Sequence, residues 1–162
     1  SFLKLLRDEG FAAHTSASEY PDGYFDTVYT LNVLEHIEDD RAALRTVARS
    51  MVSGGKLVVF VPANPILFSS FDARIGHFRR YTRRGLIRLV QGEGFRVSRC
   101  HFFDSLGFFA ALVYKWLDSG KGELSPAAVK FFDAVIFPVS RFVDQFVQRF
   151  FGKNLFLVAI KP

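Results

Sequence analysis

The sequence has little of what stabilises small secreted proteins or membrane proteins. Its 162 residues include one cysteine, Cys100, which excludes an internal disulfide and a cysteine-rich zinc site. The longest apolar run, residues 106–114, is far shorter than the roughly 20 residues that cross a bilayer. No signal peptide is recognisable. We therefore expect a protein without disulfides that works in a reducing compartment, the cytoplasm.

The composition is that of a folded domain with one basic segment. Hydrophobic residues make up 49% of the chain and charged residues 23%, so disorder is not expected. The length suits one domain with a substantial core. The net charge is +5, and one short segment contains Arg74, Arg79, Arg80, Arg83, Arg84 and Arg88. Such a cluster suits phosphate, anionic lipid or an acidic substrate, and a solvated basic face explains it equally well.

The segment 25–40, FDTVYTLNVLEHIEDD, has the clearest functional pattern. It begins like a buried strand and ends like the acidic start of a helix. Asn32, Glu35 and His36 lie between the two. In open α/β sheets, ligands bind beyond the carboxyl ends of the strands. The pattern therefore predicts a ligand-binding edge at these three residues.

The rest of the chain alternates between strand and helix patterns. Strands are predicted at residues 11–15, 24–31, 56–61, 95–103 and 154–160. Helices are predicted at residues 2–9, after a cap at Asp39 or Asp40 and up to Gly54-Gly55, and after a cap at Thr82. The alternation predicts a mainly parallel α/β sheet with helices on its faces.

The last third of the chain is rich in phenylalanine and departs from this alternation. Apolar residues recur in steps of three and four after Ser125, which predicts an amphipathic helix that is bent or divided at Pro138 and ended by Gly152. Its aromatic stripe suits core packing or a dimer interface better than a lipid surface. A typical membrane helix has a basic polar face, whereas this one carries both signs of charge.

Three motifs resemble class I S-adenosylmethionine-dependent methyltransferases: FD and VLEH within residues 25–36, GHFRRYTRRGL at 76–86 and GEGF at 92–95. The resemblance implies that the predicted segments are strands three to seven of a Rossmann-like sheet. This sheet is mostly parallel, with an antiparallel last strand inserted next to the sixth. Residues 1–162 would form a single methyltransferase-like domain with a helical insertion at about 105–151.

The same resemblance implies a cofactor, S-adenosylmethionine, and part of its site. Thr15, Ser16 and Ala17 would flank the adenine, and Leu31 and Asn32 would lie against the cofactor. Core packing explains Leu31 equally well. The family's glycine-rich loop and the acidic residue after strand two have no counterpart here. We therefore expect the domain to be incomplete at its N-terminus and these residues alone to bind the cofactor weakly.

Glu35 and His36 are the candidate catalytic residues. An imidazole with a pKa near neutrality can take a proton from an acceptor hydroxyl, although both residues could instead stabilise the start of the next helix. Some relatives, such as quinone-biosynthesis O-methyltransferases, bind a divalent cation through Glu-x-x-Glu-His and a later histidine. Asn32 replaces the first glutamate, so the sequence gives no metal site, although Glu35, His36 and His77 could supply three ligands.

Four residues of the second motif, His77, Arg79, Arg80 and Tyr81, are candidates for binding the acceptor. A basic surface patch is the alternative. The resemblance implies methyl transfer to a small-molecule or lipid-like acceptor. A noncatalytic module is the alternative, acting in oligomerisation, as a homodimer through the aromatic helix, or in contact with a partner or a membrane surface. Nucleic acid is a less favoured partner.

Overall fold

The computed structural model describes residues 2–12, 14, 16, 19–117, 120, 122 and 125–162. Four strands form one sheet in the order β1-β2-β4-β3. They are β1 (Phe25–Leu31), β2 (Met51–Pro62), β3 (Arg96–Phe103) and β4 (Asn154–Ile160). β1 and β2 are parallel, while β4 lies between β2 and β3 and is antiparallel to both. The predicted α/β sheet, mostly parallel with an antiparallel last strand, is confirmed.

Seven helices surround this sheet in the described residues. They are α1 (Phe2–Asp8), α2 (Asp40–Ser50), α3 (Ser70–Arg74), α4 (Arg83–Gly92), α5 (Ser105–Leu117), α6 (Pro126–Phe131) and α7 (Phe137–Val147). The Asp39 carboxylate accepts a hydrogen bond from the Ala42 N–H, and the Thr82 hydroxyl accepts one from the Gly85 N–H. Both predicted helix caps are therefore confirmed. None of these helices is long and apolar enough to cross a membrane.

The core lies on one face of the two central strands. Leu57, Val59 and Val61 of β2 are fully buried and pack with residues of α2 and α4. Val58 and Phe60 point to the other face and are half-buried. The apolar run in β2 therefore reflects one tightly packed face and one partly covered face.

Two predictions about the first half of the chain are wrong. Phe11, Ala12 and His14 do not form a strand. A strand needs a neighbouring strand for its backbone hydrogen bonds, and the described residues form none beside this segment. Residues 13 and 15 lie outside the described residues. Gly54 does not end α2, which stops at Ser50. It has a φ of +81° inside β2, where the pairing with β1 shifts register, and glycine adopts that conformation without steric cost.

The predicted amphipathic helix is divided one turn before Pro138. A π-helical turn, Phe132–Ile136, separates α6 from α7. Proline lacks an N–H group, so the regular hydrogen-bond ladder cannot continue through this point. Gly152 does not end the helix, because α7 stops at Val147. A Cβ atom on Gly152 would lie 2.6 Å from the Phe103 carbonyl oxygen, so glycine is required there by close backbone contact.

The helices between β3 and β4, α5 to α7, called the helical insertion below, are anchored to the sheet by a buried polar network. Asp144 of α7 accepts hydrogen bonds from the backbone N–H groups of Asp104 (2.7 Å) and Ser105 (2.9 Å) at the start of α5. The Ser140 hydroxyl donates to Asp104 Oδ1 at 2.9 Å, and Lys153 Nζ lies 3.0 Å from Asp104 Oδ2. These bonds fix α5 and α7 against the carboxyl end of β3.

Candidate functional site

A cavity of about 750 Å³ lies at the carboxyl edge of the parallel strands. Asn32 follows β1, and Asp104 follows β3; both have left-handed backbone conformations, with φ of 52° and 60°. The two residues line the cavity together with side chains from α5 and α6. The cavity therefore lies at the edge of the sheet where the pattern of residues 25–40 passes from strand to helix.

His36 stands at one end of this cavity on a short 3₁₀ turn, Leu34–His36. Its Nδ1 atom lies 3.2 Å from the Gly76 carbonyl oxygen. A carbonyl oxygen can only accept, so Nδ1 donates its proton and Nε2 keeps a lone pair. The His36 and His77 rings meet edge to face, with centroids 4.6 Å apart.

His77 is held by the buried carboxylate of Asp72. Asp72 Oδ1 lies 2.8 Å from His77 Nδ1 and 2.9 Å from Arg80 Nε, and Oδ2 accepts from Ser69. Burial acts to raise the pKa of Asp72, but the hydrogen bond and charge of Arg80 and the His77 bond outweigh it and lower the pKa. The ionised carboxylate therefore fixes the proton of His77 on Nδ1 and leaves a lone pair on Nε2.

Glu35 is fully buried beside the two histidines. Neither of its carboxylate oxygens has a hydrogen-bond partner in the described residues, and the nearest histidine nitrogen, His77 Nε2, lies 3.8 Å from Oε1. Burial raises its pKa, against the opposing effect first of its own backbone N–H group and then of the nearby histidines and Arg80. The cap of the next helix is Asp39, whose carboxylate accepts a hydrogen bond from the Ala42 N–H.

The other predicted acceptor residues lie behind the cavity wall. Arg79 Nη1 is 2.8 Å from Asp40 Oδ2, and the buried Tyr81 hydroxyl lies 3.0 Å from the same oxygen and 3.2 Å from the Leu34 carbonyl. Burial, and then Asp40, raise the pKa of Tyr81. These two residues tie the 3₁₀ turn to α2, whereas His77 and Arg80 line the cavity.

The predicted cofactor residues divide into three groups. Leu31 is 53% exposed, so the core-packing alternative is wrong for it, and Asn32 lines the cavity beside it. Ser16 is exposed and donates its backbone N–H to the Glu19 carboxylate at 2.9 Å. Thr15 and Ala17 lie outside the described residues.

Sequence reasoning missed three residues of this site. Asp72 orients His77, and its only sequence signal is the Ser-x-x-Asp capping pattern of residues 69–72. The Tyr114 hydroxyl is enclosed without a partner in the described residues, and Tyr114 lines the cavity. Lys153 reaches the cavity from just before β4, and no local pattern marks it.

Comparison with solved structures finds the same fold. Phosphoethanolamine N-methyltransferase 2 from Haemonchus contortus, in complex with S-adenosyl-L-methionine, is 17% identical over 98% of this chain and 40% of its own, with a TM-score of 0.56. An S-adenosylmethionine-dependent methyltransferase from Mesorhizobium loti is 14% identical over 98% of this chain and 75% of its own, with a TM-score of 0.57. The cyclase SpnF is 17% identical over 99% of this chain and 61% of its own, with a TM-score of 0.53.

The chain spans between 40% and 61% of the lengths of three such structures. Comparison with curated protein sequences gives no significant match. The family model described as a methyltransferase domain matches residues 2–99, well over half of the chain. Together with the strand order and the site at the carboxyl edge of the sheet, this match shows that the chain belongs to the class I S-adenosylmethionine-dependent methyltransferases.

Proposed function

We propose that this domain transfers a methyl group from S-adenosylmethionine to an uncharged, largely apolar acceptor whose hydroxyl group lies beside His36. The observation that carries the proposal is the cavity between the sheet edge and the helical insertion. Its volume of about 750 Å³ falls within the range typical of small-molecule sites. An acceptor of small-molecule or lipid-like size fits this volume.

The lining of the cavity supports an acceptor without charge. Aromatic and aliphatic side chains predominate, among them Phe60, Phe71, Phe103 and Phe132. The basic groups at its wall already have acidic partners: Arg80 is paired with Asp72, and Lys153 with Asp104. Burying a further charge without a partner would be costly, so a phosphate or carboxylate on the acceptor is disfavoured.

The cofactor would lie against the carboxyl end of β1. Leu31 exposes an apolar side chain there, and the left-handed turn at Asn32 leads directly into the cavity. These two residues would hold the methionine side of S-adenosylmethionine, and residues 15–17 its adenine. The cofactor supplies a methyl group on a positively charged sulfur. An exposed apolar side chain and a polar amide at this edge fit such a group.

The chain's own residues would position the acceptor and accept its proton. The lone pair on His36 Nε2 is available because Nδ1 donates to the Gly76 carbonyl. Bound S-adenosylmethionine would give its methyl group to the acceptor oxygen and leave as the neutral thioether, and His36 Nε2 would take the proton that the hydroxyl loses. Tyr114, whose enclosed hydroxyl lacks a partner in the described residues, would orient a polar group of the acceptor.

The proposal is tested by filling the cavity. Ala111 of α5 lines the cavity, whereas Val113, two residues further along the same helix, is 53% exposed and is not part of the lining. Isotope transfer from labelled S-adenosylmethionine to 4-octylphenol, an uncharged apolar probe, should fall at least about tenfold in Ala111→Phe, because the added ring occupies the acceptor's space. Val113→Phe is the matched control and should retain transfer, since its ring would extend into solvent.

Transfer to 4-octylbenzoic acid should be weaker than transfer to the phenol. Equal labelling of the two probes, or equal rates in the two phenylalanine variants, would contradict the assignment of this cavity to an uncharged acceptor. Labelling of neither probe by the unsubstituted protein, at a concentration of S-adenosylmethionine high enough to offset weak cofactor binding, would contradict it as well.

A second candidate function rests on the exposed stripe, which comprises Val139, Phe142, Phe146 and Phe150. These side chains are between 51% and 75% exposed, so core packing does not account for them. Steps of three and four place Val139, Phe142 and Phe146 on one side of α7, and Phe150 follows in the turn after this helix. We propose that the stripe contacts a second copy of the chain. A noncatalytic role in oligomerisation would need this surface and not the cavity.

A further inference from the structure

A second apolar surface of the helical insertion lies on α5. Phe109, Val113, Trp116 and Leu117 recur in steps of three and four, which place them on one side of this helix. Trp116 and Leu117 are 78% and 80% exposed, and the other two are more than half exposed. These four residues, called the α5 row below, are separate from the exposed stripe of α7. Large apolar side chains exposed in one row indicate a contact surface.

The α5 row borders the opening of the cavity. Residues that line the cavity and are also exposed mark its mouth. Ala110 of α5, Val129 of α6 and Ile75 after α3 meet both conditions. Ala110 directly follows Phe109 and lies one turn before Val113. The α5 row and the mouth are therefore neighbouring parts of one apolar surface.

The charges of the helices at the mouth favour an anionic partner. α5 and α6 contain no acidic residue, and their charged residues are Lys115 and Lys130. Lys115 Nζ donates to the Ile66 carbonyl oxygen at 2.7 Å, a bond that leaves the ammonium charge in place. Asp133, in the π-helical turn, is the exposed acidic residue of the described cavity lining. Two lysines and one aspartate give these segments a positive balance.

We infer that the α5 row and the mouth of the cavity bind the surface of an anionic lipid bilayer. An amphipathic helix lies in the membrane interface with its apolar face buried by about 5–10 Å, and tryptophan suits the level of the headgroups. α5 is too short to cross a membrane, so it would lie along the surface. A second copy of the chain seated there would close the mouth, whereas a bilayer leaves it open to apolar molecules dissolved in the lipid.

The inference rests on the proposed function only for what the bilayer would deliver. An uncharged, largely apolar acceptor partitions from water into lipid. A mouth that lies on the membrane would let such an acceptor enter the cavity without crossing water. The acceptor would then be a lipid-soluble molecule with a hydroxyl group. Binding of the membrane itself requires neither cofactor nor acceptor, so the two proposals can be tested separately.

Trp116 is the single tryptophan of the chain and reports directly on the α5 row. With vesicles of phosphatidylcholine and phosphatidylglycerol, at roughly 7:3, its fluorescence should shift to shorter wavelength and become protected from acrylamide, because the indole leaves water. Vesicles of phosphatidylcholine alone should bind severalfold more weakly, since lysines near an anionic surface add to the attraction.

Flotation with the same vesicles measures binding independently of fluorescence. Val113→Ser/Leu117→Ser should lower the bound fraction at least about fivefold, because two apolar side chains no longer enter the interface. Leu5→Ser/Phe11→Ser is the matched control, since these side chains are 55% and 61% exposed outside the helical insertion, and it should retain binding. Phe142→Ser/Phe146→Ser should also retain binding.

Three results would overturn the inference. They are flotation of Val113→Ser/Leu117→Ser equal to that of the unsubstituted protein, absence of binding to either kind of vesicle, and a shift of Trp116 fluorescence that depends on protein concentration and not on vesicles. The last result would identify a second copy of the chain as the partner. Vesicle binding without methyl transfer to 4-octylphenol would support the inference and contradict the proposed function alone.

Discussion

Buried carboxylates have very different environments in this protein. Asp72 and Asp144 are each surrounded by donors from the backbone and from side chains. Glu35 has none in the described residues. A carboxylate with donors on both oxygens stabilises the fold around it, whereas one without them costs free energy until a partner arrives. At the scale of residues, this difference separates carboxylates that hold the fold together from Glu35, the candidate catalytic residue.

Removing a buried carboxylate that accepts backbone hydrogen bonds, such as that of Asp144, should lower the stability of the protein strongly. Asp144→Ala would leave the N–H groups of Asp104 and Ser105 without their partner. The free energy of unfolding should fall by about 2–4 kcal/mol, since each buried N–H without a partner costs about 1–3 kcal/mol. Urea denaturation measures the change.

Asp133→Ala is the matched control for this substitution. Asp133 is exposed and lies one helical segment before α7, so its removal should change the free energy of unfolding by less than about 0.5 kcal/mol. If the two variants were equally stable, the network at the start of α5 would not anchor the insertion.

Single backbone contacts decide how the elements meet. Gly152 passes the end of β3 so closely that an added Cβ atom would lie 2.6 Å from the Phe103 carbonyl oxygen and 2.9 Å from the Phe103 nitrogen. Those atoms belong to a paired strand and cannot move without disturbing β4. At the scale of elements, this contact sets the approach of the insertion to the sheet.

Gly152→Ala should therefore lower the free energy of unfolding by about 1–3 kcal/mol. Gly92→Ala provides the comparison, because its Cβ atom would meet only the end of the flexible Arg41 side chain, at 3.2 Å, and alanine favours the helix in which Gly92 lies. Chemical denaturation of both variants should show a loss for the first and no loss for the second. The reverse order would contradict the close contact described here.

On the scale of the whole molecule, the helical insertion has two distinct surfaces. One surface closes the cavity through α5 and α6. The other leaves apolar side chains in contact with solvent, including Trp116 at the end of α5 and the exposed stripe of α7. Exposed apolar patches of this kind are typical of contact sites. These helices therefore carry both the lining of a candidate site and exposed residues suited to an interface.

If the exposed stripe joins two copies, light scattering after gel filtration should give about twice the chain mass of 18.4 kDa. The double variant Phe142→Ser/Phe146→Ser should return the mass to that of one chain, because two apolar contacts are lost. Phe11→Ser is the control, since Phe11 is exposed away from the stripe, and it should not change the mass. A single-chain mass for the unsubstituted protein would contradict the contact, and vesicle binding lost in the double variant would identify a membrane surface instead.

Local patterns were sufficient for most elements and for the identity of the fold. The caps at Asp39 and Thr82 were predictable because their side chains bond to backbone groups three residues away. The strand order followed from the family motifs. The strand at residues 11–15 was wrongly predicted, since an apolar pattern cannot show whether a pairing partner exists.

The sequence by itself determined the four strands of the sheet, the starts of α2 and α4 and the family, since these depend on neighbouring residues and on motifs. Only the tertiary structure decided which polar groups meet. Residues 35–36 and 72–77 are far apart in sequence, yet they form one cluster because consecutive parallel strands end at the same edge of the sheet. The segment 25–40 thus marked the edge of the sheet at which the cavity lies, while only the fold showed the burial of Glu35 and the hydrogen bonds of His36 and His77.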